Sequence, residues 1–162
     1  MNGMIAPLST GTDRSNCPLK IGDAAHRMAR SPDGASLIQA TKSGQLSGTH
    51  NLNNAITALD AQGAKYTITP TSTTGISELW YTYTNSAGKT VSGSKTVYDP
   101  AVFSDQVMLG NAQNAGQQAW TQYLKDPSLK VIDTTQGNIN FRSYINFDKN
   151  GNAFIGNVHP IK

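Results

Sequence analysis

The sequence predicts an α+β domain: two to three helices packed on one or two antiparallel sheets, in the approximate order ααβββαβββ. Three observations point there. Apolar residues make up 37% of the chain and charged residues 14%, with Thr, Ser, Asn, Gly and Gln filling the difference. That balance suits strands and polar loops better than a helical bundle. Strand-forming runs come in two groups of three, and between them lies one long segment whose apolar residues recur at the helical period. A chain of 162 residues can bury a real core as one domain. No repeat, low-complexity tract or internal boundary interrupts it, so we read residues 1–19 as a flexible leader and 20–162 as a single domain.

Within that frame, IGDAAHRMAR (Ile21 to Arg30) predicts a short helix entered at Asp23 and stopped by Ser31-Pro32, with His26 and Arg30 four apart on one face. A second helix follows caps at Ser47, Thr49 or Asn51, carries Leu52, Ala55, Ile56 and Leu59 on one side, and ends at Gly63. His50 is expected in its first turn, where backbone amides attract anions. Lys65 to Thr69 alternates as a strand up to Pro70.

Ser77 to Pro100 (SELWYTYTNSAGKTVSGSKTVYDP) reads as an antiparallel hairpin around Asn85-Ser86-Ala87-Gly88. Pairing Thr84 with Lys89 places Trp80, Thr82, Val91 and Val97 on an apolar face, with Glu78 opposite and neutralising Lys95. The other face then carries Tyr81, Tyr83, Thr90, Ser92, Thr96 and Tyr98 as a working surface. A bulge at Gly93 would swap the faces beyond it. The third helix starts at Ser104 or Asp105 and runs to about Leu124, where Asp126-Pro127 closes it. Three strands follow: Lys130 to Thr134, Asn138 to Phe147 and Ala153 to His159, the last two joined by the Asp148-Lys149-Asn150-Gly151 turn. Pairing Phe147 with Asn152 gives a core face of Phe141, Ile145, Phe154 and Val158. The reverse face gathers Arg142, Tyr144, Ile155, Asn157 and His159, with Pro160 fixing His159 at the rim.

Composition narrows the chemistry. A net charge of +3 and a pI of about 9.0 favour anionic partners, though the basic residues are scattered. A single cysteine, Cys17, excludes an internal disulfide, and three unclustered histidines give no readable zinc site. No apolar run is long enough to cross a membrane, and the first residues lack the apolar centre of a signal peptide. Paired carboxylates, a P-loop, a dinucleotide fingerprint and a nucleophile elbow are all missing. What remains suits RNA cleavage without metal or other cofactor. One imidazole takes the 2′-hydroxyl proton, another protonates the departing 5′-oxygen, and a cation stabilises the phosphorane. The candidates are His26, His50 and His159 as acid and base, with Thr96 and Tyr98 for positioning. Arg142, Lys95, Asn157 and Tyr144 are candidates for phosphate and substrate binding. Lys95 and Thr96 point opposite ways in a regular strand, so Lys95 is the weaker of the two.

The segments KTVYDPAVFSDQVMLGNAQNAG and NINFRSYINFDKNGNAFIGNVHP resemble the C-terminal toxin domains of bacterial polymorphic toxins, the variable tips of contact-dependent growth inhibition (CdiA-like) effectors. Many such domains are RNases of the barnase/EndoU/colicin/RelE group, frequently acting on tRNA. EndoU-type members carry two His, a Lys and a late Thr-x-Tyr, which Thr96-Val97-Tyr98 matches after His26 and His50. The resemblance implies an antibacterial effector delivered from the cell surface into the cytoplasm of a target bacterium, with RNA as substrate, a cognate immunity protein as partner and no stable membrane insertion. Two other readings stay open: a NAD-consuming or DNA-cleaving toxin, and a non-enzymatic module binding through Tyr81 and Tyr83.

Overall fold

The six expected strands form two separate antiparallel sheets, each with a helix packed on one face. A computed structural model of the chain describes residues 45–162. The leader, the helix expected at Ile21 to Arg30, and His26 lie outside the described residues. The order is α1 (Leu52–Asp60), β1 (Lys65–Pro70), β2 (Ile76–Thr84), β3 (Thr90–Tyr98), α2 (Asp105–Lys125), β4 (Val131–Gln136), β5 (Ile139–Phe147) and β6 (Ala153–Ile161). Sheet order is β1-β2-β3 in the first and β4-β5-β6 in the second.

Asn51 is the cap of α1: its side-chain oxygen accepts from the Asn54 amide at 3.2 Å. His50 therefore precedes the cap rather than lying in the first turn. Ala55, Ala58 and Leu59 face inward, and Gly63 at φ +63° lets the chain leave the helix.

The first hairpin is shifted by one residue from the expected register. Thr84 pairs with Thr90, not Lys89. The cause is Asn85, whose carboxamide oxygen accepts from the amides of Ala87 and Lys89, both at 3.0 Å, while its own amide donates to the Lys89 carbonyl at 2.9 Å. Lys89 is thus held inside the turn. With a side-chain period of two, that slip moves the residues of β2 to the opposite face while those of β3 keep theirs. Leu79, Tyr81, Tyr83, Val91 and Val97 are buried beneath α1, and Trp80 is 51% exposed on the reverse side. The two tyrosines are core, not a working surface. Glu78 sits across from Thr96 and its carboxylate receives Lys162 at 3.0 Å, so it does not neutralise Lys95. Gly93 makes no bulge. A Cβ there would stand 2.6 Å from the Tyr81 hydroxyl, which crosses β3 at this point.

In the second half, α2 lays Met108 and a stripe of small residues, Ala112, Ala115, Gly116 and Ala119, against Ile132, Phe141, Ile145, Ile155 and Val158. Ile76 and Tyr98 reach into this same core from the first sheet. Gly137 (φ 54°) and Asn138 (φ 62°) make a two-residue turn of the primed kind between β4 and β5, so β5 starts at Ile139. Across the next hairpin Phe147 pairs with Ala153, one residue off the expectation, and Gly156 is the extra residue of a bulge between the Tyr144 and Ile145 pairs. A Cβ at Gly156 would run into the Asn146 carboxamide. The bulge turns Ile155 into the core and restores Asn157 and His159 to the open face. Pro160 does not end the strand; it pairs with Phe141 inside β6, an edge strand that tolerates its missing N–H.

Candidate active site

His50 arrives at the site along the free edge of β3. Upstream, the Leu46 amide donates to the Tyr81 hydroxyl at 2.7 Å, which is possible because Gly93 leaves the phenol room to cross the strand. Thr49 and Asn51 are buried on either side. The Tyr98 amide donates to the His50 carbonyl at 2.7 Å, and Asn51 bridges to Tyr98 in parallel. The His50 ring uses the same edge: Nδ1 lies 2.6 Å from the Thr96 carbonyl oxygen. A carbonyl only accepts, so Nδ1 carries the proton and Nε2 of the neutral ring keeps its lone pair.

His159 comes from the other sheet. Its Nδ1 donates to the Pro160 carbonyl at 3.0 Å, which leaves its Nε2 in the same state. The two imidazoles stack nearly parallel, with centroids 5.3 Å apart and 4° between planes. The Tyr144 ring also stacks on His159, with centroids 5.7 Å apart and 23° between planes. Arg142 lies directly across from His159 on β5 and is held by Asp133 on β4 through a two-pronged contact, Nε to Oδ1 at 2.8 Å and Nη2 to Oδ2 at 2.7 Å. Asn157 pairs with Tyr144 on the same face.

Lys95 completes the cluster. It shares the inner face of β3 with Val97, and its ammonium reaches the Leu46 carbonyl at 3.5 Å. Burial pushes its pKa down from 10.5 to about 8. Burial also holds His50 well below the usual histidine value, with the Lys95 charge and then His159 adding to the effect, while the Thr96 carbonyl opposes it. His159 is lowered by burial first, against the pull of the Pro160 carbonyl, and then by Lys95 and Arg142, with Asp133 opposing. The site is therefore two neutral, stacked bases beside a cation that is easily deprotonated. Such a cluster can abstract and return protons and hold an anion. Among the described residues, no three His, Cys, Asp or Glu side chains come together as a metal site.

The structure thus brings together His50, His159, Lys95, Tyr144, Arg142 and Asn157. Thr96 contributes through its backbone carbonyl. Tyr98 is fully buried behind the site, its hydroxyl donating to Asp105 at 2.6 Å, and burial with that carboxylate raises its pKa. Sequence reasoning missed Asp133 and Asp105. Asp133 stands on β4 across from Arg142, and an Asp–Arg cross-strand pair is a signal readable once β4 and β5 are aligned.

No family model matches the sequence. Among curated proteins it is similar to a tRNA nuclease CdiA of Escherichia coli (strain STEC_O31), 32% identical over 127 aligned residues. The alignment takes in 71% of this chain but spans only 4% of that protein's length.

Proposed function

This chain belongs to the CdiA-like C-terminal toxin domains, and from that premise we propose that it is a nuclease toxin cleaving tRNA by metal-independent transesterification at the His50–His159 pair. The observation that carries the reading is the pair itself: two imidazoles from different sheets, stacked, both with Nε2 available, beside Lys95.

His50 is held neutral by burial and by the Lys95 charge, with its Nδ1 proton committed to the Thr96 carbonyl, and serves as base. Its Nε2 takes the proton of a ribose 2′-hydroxyl, whose oxygen attacks the adjacent phosphorus. The bond to the 5′-oxygen breaks, and that oxygen leaves with a proton from His159 Nε2. The products are a 2′,3′-cyclic phosphate and a 5′-hydroxyl. His159 suits the acid role because Asp133 partly offsets the two cations beside it. The arriving phosphate, itself anionic, favours the protonated forms of His159 and Lys95. Lys95 stabilises the crowded phosphorane from a desolvated position, where one charge has most effect. Arg142, Tyr144 and Asn157 flank His159 on the open face and contact the RNA beyond the scissile bond. Thr96 orients the base, and Tyr98 supports it from behind.

The net charge of +3 fits a polyanionic substrate. No helix among the described residues is long and apolar enough to cross a membrane. Delivery as the tip of a larger cell-surface effector, action in the target cytoplasm, and neutralisation by a cognate immunity protein complete the proposal.

The test is incubation of the purified protein with bulk tRNA in EDTA. Discrete fragments ending in cyclic phosphate are expected, and none with His50→Ala or His159→Ala. Intact tRNA, or cleavage only after a divalent metal is added, would sink the mechanism.

A further inference from the structure

We propose that Asp105 is a positioning residue that holds His50 against His159 through Tyr98 and Asn51; as a statement about catalysis this rests on the ribonuclease reading above. One carboxylate oxygen, Oδ1, receives both the Tyr98 hydroxyl at 2.6 Å and the Asn51 carboxamide nitrogen at 2.7 Å. Asp105 opens α2, which packs on the second sheet; Tyr98 ends β3 of the first sheet; Asn51 caps α1. A single oxygen therefore ties three elements drawn from both halves of the fold.

Both donors lead straight to His50. Asn51 is its chain neighbour. The Tyr98 amide is the donor to the His50 carbonyl. His159, by contrast, is carried on β6, whose Val158 packs in the core that α2 covers. Asp105 thus sits on the element that is fixed relative to His159 and grips the two residues that fix His50. The grip is charge-assisted, and both donors, Tyr98 at 0% and Asn51 at 4% exposure, are too buried to turn to water instead. Asp105→Ala leaves them without an acceptor, whereas Asp105→Asn keeps a carbonyl oxygen in place. Asp105 does not touch the imidazoles, so its removal misplaces the base without removing any reacting group.

Two measurements on the full chain test this. The first is single-turnover cleavage of tRNA. Asp105→Ala should lower kcat by roughly 10- to 100-fold, as a misplacement of about an ångström does, with KM little changed, and Asp105→Asn should recover much of the loss. The second does not depend on activity: NMR titration of the His159 ring. His159 is faced by His50, by Lys95 of β3, by Arg142 and Tyr144 of β5, and by Asp133 of β4. In the wild-type background His50→Ala should shift the His159 midpoint, because the stacked neighbour is lost. In the Asp105→Ala background the same change should leave it unmoved, and if that variant does not fold, Asp105→Asn should show a reduced shift. An undiminished shift in the Asp105 variants, or equal kcat losses for Ala and Asn, overturns the positioning role. A wild-type protein that cuts no RNA defeats the ribonuclease reading and leaves the titration test standing.

Discussion

Replacing Lys95 by Met should make the protein more stable and less active. Lys95 would titrate at 10.5 in water, but burial brings it to about 8 in the fold. At about 1.4 kcal/mol per pH unit, keeping the ammonium charged at neutral pH costs the folded state about 3 kcal/mol. Below pH 8 both folded and unfolded chains hold the proton, and that cost is present in full. Between pH 8 and 10.5 the unfolded chain holds it and the folded chain does not, so native stability climbs across this window. Methionine fills the volume of the lysine stem without a charge to desolvate. Lys95→Met should therefore gain up to about 3 kcal/mol at pH 7, moving a urea midpoint by about 1–2 M, and the gain should shrink markedly at pH 9.5. Cleavage should fall by roughly 100- to 1,000-fold, the usual loss for one electrostatic stabiliser of a transition state. Urea melts at the two pH values read the first effect and tRNA cleavage the second. A variant no more stable than wild type at pH 7, or equally favoured at both pH values, would show that the charge is not under the strain described.

Other expectations concern the supports and the titration of the site. Ser143 is buried on the core face of β5, and among the described residues its hydroxyl has no hydrogen-bond partner; Ser143→Ala should raise stability by about 1 kcal/mol in thermal melts, with cleavage unchanged. Gly93→Ala forces the Tyr81 phenol off the Leu46 amide, so it should cost about 1–3 kcal/mol and depress cleavage beyond what the unfolded fraction explains. His159→Ala should lower kcat by roughly 100- to 10,000-fold while circular dichroism stays native, since the ring belongs to neither hydrophobic core. The pH profile of kcat/KM should be a bell peaking on the acid side of 6.5, because both imidazoles are held below that value, and Lys95→Met should move the peak to higher pH as its depressing charge is removed.

Elements whose signals are local were legible in the sequence. Asn51 and Ser104 are caps with the right side chains. Gly63 and the Asp148 to Gly151 turn end elements by their backbone preferences, and Arg142, Tyr144, Asn157 and His159 do share a face. Register was less legible, because it is decided by hydrogen bonds that composition does not count. Asn85 was expected to open a four-residue turn; instead its carboxamide gathered the Lys89 amide into a longer one, so the residues of β2 changed sides while Val91 and Val97 of β3 stayed in the core. At Gly156 one extra residue undid a second slip, so the grouping of Asn157 with Tyr144 came out right while Ile155 went to the core. Lys95 was discounted because Glu78 stands nearby in sequence pairing, yet tertiary packing gave Glu78 to Lys162. His50 and His159 are 109 positions apart, and no periodicity brings such residues together.

A site divided between two sheets is only as well defined as the joint between them. The Glu78–Lys162 pair crosses the joint, but the Lys162 side chain is 63% exposed, and an ion pair of that kind contributes little. The stronger connections are buried. Ile76 and Tyr98 belong to the first sheet by hydrogen bonding and to the second core by packing, and the Asp105 carboxylate closes the polar side of the same corner. Tyr98 is thus the residue on which both halves bear: its ring fills one core, its amide holds the backbone of His50, and its hydroxyl meets the first turn of α2. In the structure the Thr-x-Tyr pattern meets His50 through its backbone. Thr96 aims the His50 ring through its carbonyl, and Tyr98 fixes the chain that carries it. The placement of the stacked imidazoles then follows from burial at the joint between the two sheets.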